Sequence, residues 1–187
     1  MSGQLTISRL SASDTINHFD CTDTELNNFL CDDAIDHIKA LLAVTYLLER
    51  DGELIGYFSV LNDSIRHKDI PAKTPSRSEL KRLLRKVPFK KRGYQSHPAV
   101  KVGRFAISKD CQSNGLGSKM MDYIKGYFLD NNKTGCRFIT VDAYNNPKTL
   151  KFYQDNGFDF LTSKDETEDN RLMYFDLIVY SNYLNGH

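Results

Sequence analysis

The stretch VGRFAISKDCQSNGLGS, residues 102–118, has the pattern of a strand, a glycine turn and the start of a helix. Val102, Phe105 and Ile107 favour a strand, and Lys109-Asp110 interrupts the apolar run. A helical pattern of apolar residues follows the turn, namely Met120, Met121, Ile124, Tyr127 and Phe128. The first turn of a helix has backbone N–H groups without partners and the positive end of the helix dipole. The pattern therefore favours an anion, such as a pyrophosphate, at this turn.

The glycines of this turn have the spacing Gln112-x-x-Gly115-x-Gly117. Taken alone, this spacing fits an ordinary strand-to-helix turn as well as it fits a phosphate-binding one. It is not a Walker motif, because no Gly-Lys-Ser/Thr follows, and it lacks the three glycines of a dinucleotide fingerprint. A second motif is needed to decide between the two.

That second motif is NPKTLKFYQDNGF, residues 146–158, which follows the strand-like run RFITVDA at 137–143. Asn146 is a favourable N-cap, Pro147 suits the first helical position, and Gly157 suits the C-terminal end. The segment therefore predicts a short helix that carries Tyr153.

Taken in order, the two motifs resemble those of the GNAT superfamily of acyl-CoA-dependent N-acetyltransferases. The first matches the family's Q/R-x-x-G-x-G/A turn. The second matches N-x-x-A-x-x-x-Y-x-x-x-G-F, with Thr149 where the family often has alanine. The segments FDCTDTELNNFL, residues 19–30, and TYLLERDGELIGYFSV, residues 45–60, are most similar to the branch that contains acetyltransferase toxins of toxin-antitoxin pairs.

The resemblance implies an α/β fold with a mixed, mostly antiparallel central sheet of about six to seven strands flanked by helices. It implies acetyl-CoA as cosubstrate, with no metal. The main chain of Phe105, Ala106 and Ile107 would hold the pantetheine arm and the acetyl carbonyl. The remaining cofactor-binding residues would be Gln112, Ser113, Asn114, Gly115, Leu116, Gly117 and Ser118 at the pyrophosphate, together with Asn146.

The resemblance also places Tyr153 beside the sulfur of bound CoA, as the catalytic residue. A phenol with a pKa of about 10 is protonated at neutral pH, so it can protonate a departing thiolate whose conjugate acid has a pKa near 8.5. A core aromatic alongside Leu150 and Phe152 is the alternative role. Both roles are compatible with Asn146 as an N-cap.

The general base is not evident from the sequence. Many relatives have a glutamate on the fourth strand, but VGRFAIS contains none, and Arg104 occupies that region. A water chain, an acidic residue such as Asp142, or no protein base would remove the proton from the amine. An α-amine, with a pKa near 8, needs less help than a lysine near 10.4, which favours α-amino acceptors.

The composition predicts one domain over residues 1–187, with 40% hydrophobic and 26% charged residues. The four cysteines form no C-x-x-C pair and no metal-like cluster with the histidines. The N-terminus has no signal-peptide pattern, and no run reaches the ~20 apolar residues of a membrane span. We therefore expect a cytoplasmic protein without a membrane partner, as a monomer or a homodimer.

The charge is unevenly distributed. Residues 66–92 contain eleven Lys and Arg against Asp69 and Glu79, although the whole chain has a net charge of +1. These residues belong to an irregular segment, 62–99, that we interpret as an insertion between strands 3 and 4. Its Ser76-x-x-Glu79 motif predicts a helix that would pack its leucines on the body. Either the basic side chains only keep this helix soluble, or they bind an anionic partner such as tRNA.

Local signals predict the other elements. We expect a first strand at residues 5–10, a Thr22-x-x-Glu25 capping box, and then two short helices or one bent helix. Asp51-Gly52 predicts an antiparallel hairpin. Residues 158–161 and 172–179 predict a closing antiparallel pair around the acidic loop SKDETEDN.

Three functions remain open at this point. The first is transfer of an acetyl group to a primary amine by direct attack on the thioester, in a toxin-like form that acts on aminoacyl-tRNA and has an antitoxin partner. The second is acetylation of a small-molecule amine or a protein N-terminus. The third is a non-catalytic CoA-binding or RNA-binding module, which the combination of Tyr153 with an intact glycine turn disfavours.

Overall fold

The computed structural model describes residues 3–66, 96–184 and 186. The strands in this part of the chain are β1 Leu5–Arg9, β2 Val44–Arg50, β3 Glu53–Arg66, β4 Ser96–Ile107, β5 Phe138–Tyr144, β6 Asp159–Phe160 and β7 Asn170–Asp176. They form one seven-stranded sheet in the order β1-β2-β3-β4-β5-β7-β6. The pairs β1–β2, β2–β3, β5–β7 and β6–β7 are antiparallel. The expected mixed α/β sheet, mostly antiparallel and flanked by helices, is confirmed.

The helices in the same residues are α1 Thr24–Asn28, α2 Ala34–Lys39, α3 Leu116–Leu129, α4 Pro147–Asp155 and α5 Leu177–Leu184. A π-helical turn, Phe29–Asp33, joins α1 directly to α2, so of the two alternatives predicted for this region the structure has two short helices, in continuous succession. Short 3₁₀ turns lie at Lys109–Cys111 and Asp130–Asn132. None of these helices combines the length and the apolar character that crossing a bilayer requires.

The described chain divides into two compact units. The first consists of Met1–Asn62 and Val102–Met121. It contains the predicted hairpin, in which Asp51 and Gly52 both have positive φ, at 52° and 84°, as a two-residue turn between twisted strands requires. The Tyr57 hydroxyl donates to the Leu26 carbonyl at 2.7 Å and so ties β3 to α1. Its core comprises Leu10, Phe19, Cys21, Phe29, Leu30, Ala34, Leu47, Tyr57 and Ala106.

The second unit consists of Asp63–Lys101 and Asp122–His187. Its strands β5 and β7 pair with Val141 opposite Met173. Its core includes Ile65, Ala99, Phe138, Leu161 and Tyr174. The prediction of a single domain over 1–187 stays a prediction.

The helix start predicted at Thr22 is wrong by one residue. Asp23 is the N-cap of α1, and its carboxylate accepts from the Leu26 N–H at 3.1 Å. Thr22 has a φ of 73° and donates its own N–H to the Asp20 carboxylate at 2.8 Å. Because Asp20 holds Thr22 in this turn, the cap falls on the next residue with a short polar side chain.

The last strand was predicted to reach Val179 but ends at Asp176. The Asp176 carboxylate accepts from the Ile178 N–H at 3.1 Å, as an N-cap does, and starts α5 at Leu177. A salt bridge of 3.0 Å to Arg137 fixes the same carboxylate, which is almost fully buried. The β-branched residues Ile178 and Val179 favoured a strand, but this cap overrides their preference.

The irregular segment is shorter than predicted, because β3 continues to Arg66 and β4 begins at Ser96. The helix predicted from Ser76, with most of the basic run 66–92, lies outside the described residues. The prediction that this segment is an insertion packed on the body therefore stays a prediction.

Candidate functional site

The glycine turn lies in the first unit, between β4 and α3, as the sequence predicts. β4 ends at Ile107, the 3₁₀ turn Lys109–Cys111 follows, and α3 begins at Leu116. The side chains of Ser113 and Asn114 are exposed, whereas Leu116 is buried and anchors the helix start. The turn lies at the N-terminal end of α3, where the helix dipole favours an anion.

Two residues of this turn have left-handed backbone conformations, Ser113 with a φ of 63° and Gly115 with a φ of 73°. Alternation of left-handed and right-handed residues turns successive N–H groups toward one side and forms an anion-binding concavity. A side chain at Gly115 would point into space that no described residue occupies. A glycine here therefore leaves open the space that a diphosphate group would need, and the residues present fit acetyl-CoA.

The side chain of Gln112 is held by hydrogen bonds and is not free to point into the open space beside Gly115. Its amide donates to the carbonyl of Cys21 at 2.9 Å and to the carbonyl of Ile107 at 3.0 Å. A phosphate contact from Gln112 would therefore come from its main chain. No pattern in the sequence indicates the Cys21 contact, since the two residues are 91 positions apart.

The strand segment Phe105, Ala106 and Ile107, predicted to hold the pantetheine arm, is the end of β4. Ala106 and Ile107 are buried and Phe105 is half-buried. A Cβ at Gly56 would lie 2.9 Å from the Ala106 carbonyl oxygen, so glycine at this position lets β3 approach β4 closely.

Arg104, which stands on the strand where many relatives have a glutamate, faces α1. Its guanidinium contacts the Glu25 carboxylate at 3.1 Å and the Gly103 carbonyl at 2.9 Å, and lies 5.0 Å from the centre of the Phe29 ring. A guanidinium stays protonated at neutral pH, so Arg104 cannot accept a proton from an amine. The only sequence pattern that includes Glu25 is the capping box, which gives no sign of its contact with Arg104.

Asp142, considered as an alternative base, lies on β5 in the second unit. Its carboxylate forms a salt bridge of 2.7 Å with Lys101, and about half of the Asp142 side chain is exposed. A carboxylate with a lysine this close is engaged as an acceptor. The geometry therefore gives Asp142 no particular suitability as a base.

Tyr153 lies on α4 in the second unit and is only 8% exposed. Its ring packs edge-on against Phe152 and Phe158, with centroid distances of 5.2 Å and 5.4 Å. Burial raises the pKa of Tyr153 above the ordinary value of 10.0, because ionisation of the phenol is disfavoured away from water. The hydroxyl is therefore neutral at physiological pH and retains a proton to donate.

Both ends of α4 are built as the sequence predicts. The Asn146 side chain accepts from the Thr149 N–H at 2.9 Å, which confirms the N-cap, and Pro147 is the first helical residue. Gly157 has a φ of 80°, and a Cβ there would lie 3.1 Å from the Phe175 ring, so only glycine fits without strain. These ends fix the rotation of the helix and so the direction of the Tyr153 side chain.

The predicted residues thus fall into two groups. Residues 105–107 and 112–118 belong to the first unit, whereas Asn146 and Tyr153 belong to the second. Within the described residues, no group of three or more His, Cys, Asp or Glu side chains could hold a metal ion.

Comparison with known proteins agrees with these motifs. Residues 9–158 match the model of the acetyltransferase (GNAT) family. A curated relative, a tRNA-acetylating toxin from Mycobacterium tuberculosis (strain ATCC 25618 / H37Rv), is 26% identical over 145 residues. The match covers 76% of this chain and 78% of the relative.

Solved structures with the same fold extend the comparison to nearly the whole chain. AtaT complexed with acetyl-methionyl-tRNAfMet superposes with a TM-score of 0.77 at 22% identity, covering 97% of this chain and 99% of that one. A mutant of KacT gives a TM-score of 0.75 at 25% identity, covering 96% and 99%. AtaTR bound with AcCoA gives 0.74 at 24% identity, covering 96% and 98%.

Proposed function

The chain belongs to the acetyltransferase (GNAT) family and is an acetyl-CoA-dependent N-acetyltransferase, and from this premise we propose that its acceptor is the α-amine of an aminoacyl-tRNA. The observation that carries the proposal is the 26% identity over 145 residues to a tRNA-acetylating toxin. The structural likeness to AtaT in complex with acetyl-methionyl-tRNAfMet supports the fold that such a reaction would use.

The first residues of α3 would hold acetyl-CoA, which supplies the acetyl group as a thioester and carries a diphosphate. The N–H groups of residues 112–118 would bind the diphosphate, with Gly115 leaving room for it. The main chain of Phe105, Ala106 and Ile107 would hold the pantetheine arm, and Asn146 would be a further cofactor-binding residue of the family motif. We propose these roles from the glycine geometry and the family motif.

Tyr153 would supply the proton that the leaving sulfur needs. Transfer forms an amide C–N bond and breaks the thioester C–S bond, so the amine loses one proton and the sulfur gains one. Burial raises the pKa of Tyr153, which keeps its hydroxyl protonated at physiological pH but makes transfer to a thiolate, whose conjugate acid has a pKa of about 8.5, less favourable than from an ordinary phenol. A general acid of this kind contributes about 10²- to 10⁴-fold to the rate.

The side chains near β4 suit an acceptor that loses its proton readily. Arg104 is held by Glu25 and Gly103, and Asp142 is held by Lys101, so neither is poised as a strong base. An α-amine with a pKa near 8 is about one fifth neutral at physiological pH, whereas only about 0.1% of a lysine side chain with a pKa near 10.4 is neutral. We therefore propose that water removes the proton and that the acceptor is an α-amine.

The basic run at 66–92 would hold the phosphates of the tRNA. This run contains eleven Lys and Arg against two acidic residues, and the attraction of such a run to phosphates is strong but blind to sequence. The run therefore supports RNA as the partner but does not select among amino acids. That selection would depend on the acetyl-transfer site.

The family relatives suggest two further features. Solved structures of AtaT include one bound to the C-terminus of the antitoxin AtaR, and we propose that this chain also has an antitoxin partner. We propose a cytoplasmic location, because aminoacyl-tRNA is found there. Co-purification from cells that also express the gene adjacent to this one would test the partner.

The acceptor is tested by incubating the protein with acetyl-CoA and a pool of aminoacyl-tRNAs. Mild alkaline hydrolysis releases the amino acids, and mass spectrometry detects α-N-acetylated ones. We expect at least one N-acetyl amino acid with wild-type protein and a strong reduction with Tyr153→Phe. Acetylation of small amines or peptide N-termini, with no modified aminoacyl-tRNA, would show that the acceptor is of another class.

A further inference from the structure

Two loops that are distant in sequence are joined directly before the glycine turn. The Lys109 ammonium contacts the Asp20 carboxylate at 2.8 Å, and the Lys109 N–H donates to the Asp20 carbonyl at 2.9 Å. The Gln112 amide donates to the carbonyls of Cys21 and Ile107. The loop that contains Asp20 and Cys21 therefore holds both ends of the 3₁₀ turn Lys109–Cys111.

The loop that contains Asp20 and Cys21 is itself fixed to α1. The Asp20 carboxylate also accepts from the Thr22 N–H at 2.8 Å. The Cys21 N–H donates to the Asn27 side-chain oxygen at 2.9 Å, and Asn27 is part of α1. A rigid helix therefore supports the loop, and the loop supports the residues that precede the glycine turn.

The glycine turn needs such support because its backbone is unfavourable. Ser113, directly after Gln112, has a φ of 63°, and a residue with a side chain is disfavoured in this region. The turn is also exposed at residues 113–115, so packing does little to hold it. A fixed concavity binds an anion better than a mobile one, because no ordering cost is paid at binding.

We propose that Asp20, Lys109 and Gln112 are positioning residues that hold the diphosphate-binding turn in its binding conformation. The proposal rests on the acetyl-CoA site proposed above. The exposed Asp20–Lys109 pair contributes little to overall stability, as exposed ion pairs generally do. Its effect is on the geometry of the turn.

Simple electrostatics makes the opposite prediction for Asp20. An aspartate close to a phosphate site repels the phosphate and neutralises Lys109, so removing its charge should tighten acetyl-CoA binding. If Asp20 is a positioning residue, removing its charge releases Lys109 and loosens the turn, so binding should weaken. The sign of the change in affinity separates the two.

The decisive experiment is calorimetric titration of acetyl-CoA into wild-type protein, Asp20→Asn and Asp110→Asn. Asn at position 20 retains an oxygen for the Thr22 N–H but loses the charge that pairs with Lys109. Asp110→Asn removes the same charge from the residue next to Lys109 and serves as the matched control. We expect the dissociation constant to rise about two- to fivefold for Asp20→Asn and to stay constant or fall for Asp110→Asn.

A second pair of measurements separates positioning from a general loss of structure. Gln112→Met keeps the length of the side chain and removes both donated hydrogen bonds, so we expect acetyl-CoA affinity about tenfold weaker. The KM for S-acetylpantetheine, which has no phosphate, should stay within about twofold of wild type for Asp20→Asn, since the turn contacts only the diphosphate. Melting temperatures should change little for Asp20→Asn.

Tighter or unchanged acetyl-CoA binding by Asp20→Asn would overturn the proposal. An equal rise in KM for S-acetylpantetheine in Asp20→Asn would also overturn it, because a positioning role at the diphosphate does not affect that substrate. Wild-type binding of acetyl-CoA with no acetylation of aminoacyl-tRNA would refute the proposed acceptor and leave the positioning roles standing.

Discussion

Replacing Tyr153 with phenylalanine removes a single oxygen from a nearly buried ring. The ring contacts with Phe152 and Phe158 are preserved, so we expect the free energy of unfolding to change by no more than about 1 kcal/mol. Loss of the general acid should lower kcat on the order of 10²-fold or more. In terms of the activation barrier, this is about 2.7 kcal/mol or more.

The assay follows free CoA thiol with a disulfide reagent, using aminoacyl-tRNA as acceptor at saturating acetyl-CoA. Acetyl-CoA affinity, measured by calorimetry, should be nearly unchanged, because the hydroxyl acts on the leaving sulfur and not on the bound carrier. Tyr123→Phe is the matched control, since it removes a hydroxyl from an exposed tyrosine on α3. We expect it to keep the wild-type rate.

The pH dependence gives the same prediction a second readout. Burial raises the pKa of Tyr153, so its hydroxyl stays protonated through the range in which the α-amine loses its proton. The wild-type rate should therefore rise from about pH 6.5 to about pH 8.5, as the amine titrates, and should not fall up to about pH 9. A Tyr153→Phe enzyme that works at the wild-type rate on a good acceptor would show that Tyr153 is only a packed aromatic.

Three further predictions follow from the turn, its neighbouring loop and the basic run. Gly115→Glu should weaken acetyl-CoA binding at least tenfold in calorimetry, because it puts a charged side chain and a strained backbone at an anion site. Gly126→Ala, within the helix α3, is the control and should leave acetyl-CoA binding unchanged. The Lys109 ammonium, and after it the Thr22 N–H, lowers the pKa of Asp20 from 3.8 to about 2. Wild type should thus be more stable than Asp20→Asn above pH 4 by the small margin expected of an exposed ion pair. In acid titrations followed by circular dichroism this margin should disappear as pH falls to about 2, and a constant difference would contradict the assignment. Replacing Arg82, Arg85 and Lys86 with alanine should weaken RNA binding and leave acetyl-CoA affinity unchanged. The slope of log binding constant against log salt concentration should become shallower by about 0.7 to 0.9 for each lost phosphate contact. Absence of RNA binding by wild type at ~50 mM salt would refute the tRNA interpretation.

Local sequence signals predicted the elements whose ends depend on neighbouring residues. Asn146, Pro147 and Gly157 defined α4 because caps act within one helical turn, and Asp51-Gly52 defined the hairpin for the same reason. The family motif located the turn and Tyr153.

Contacts between distant segments left no such signal. The Asp20 carboxylate shifted the cap of α1 from Thr22 to Asp23, and the burial of Asp176 beside Arg137 ended the last strand early. The hydrogen bond from Gln112 to Cys21 joins residues far apart in sequence, so neither periodicity nor spacing could reveal it. Tertiary contacts of this kind override local preference and become visible only in three dimensions.

The central claim, an aminoacyl-tRNA acceptor held by its phosphates, is tested most directly by kcat/KM for two acceptors with the same α-amine. One is an aminoacyl-tRNA that the protein acetylates, and the other is the methyl ester of the same amino acid. We predict that kcat/KM for the tRNA exceeds that for the ester by at least about 10²-fold at ~50 mM salt and falls steeply by ~200 mM, while the ester value stays level. Equal values for the two acceptors, or a tRNA value that does not respond to salt, would contradict the account.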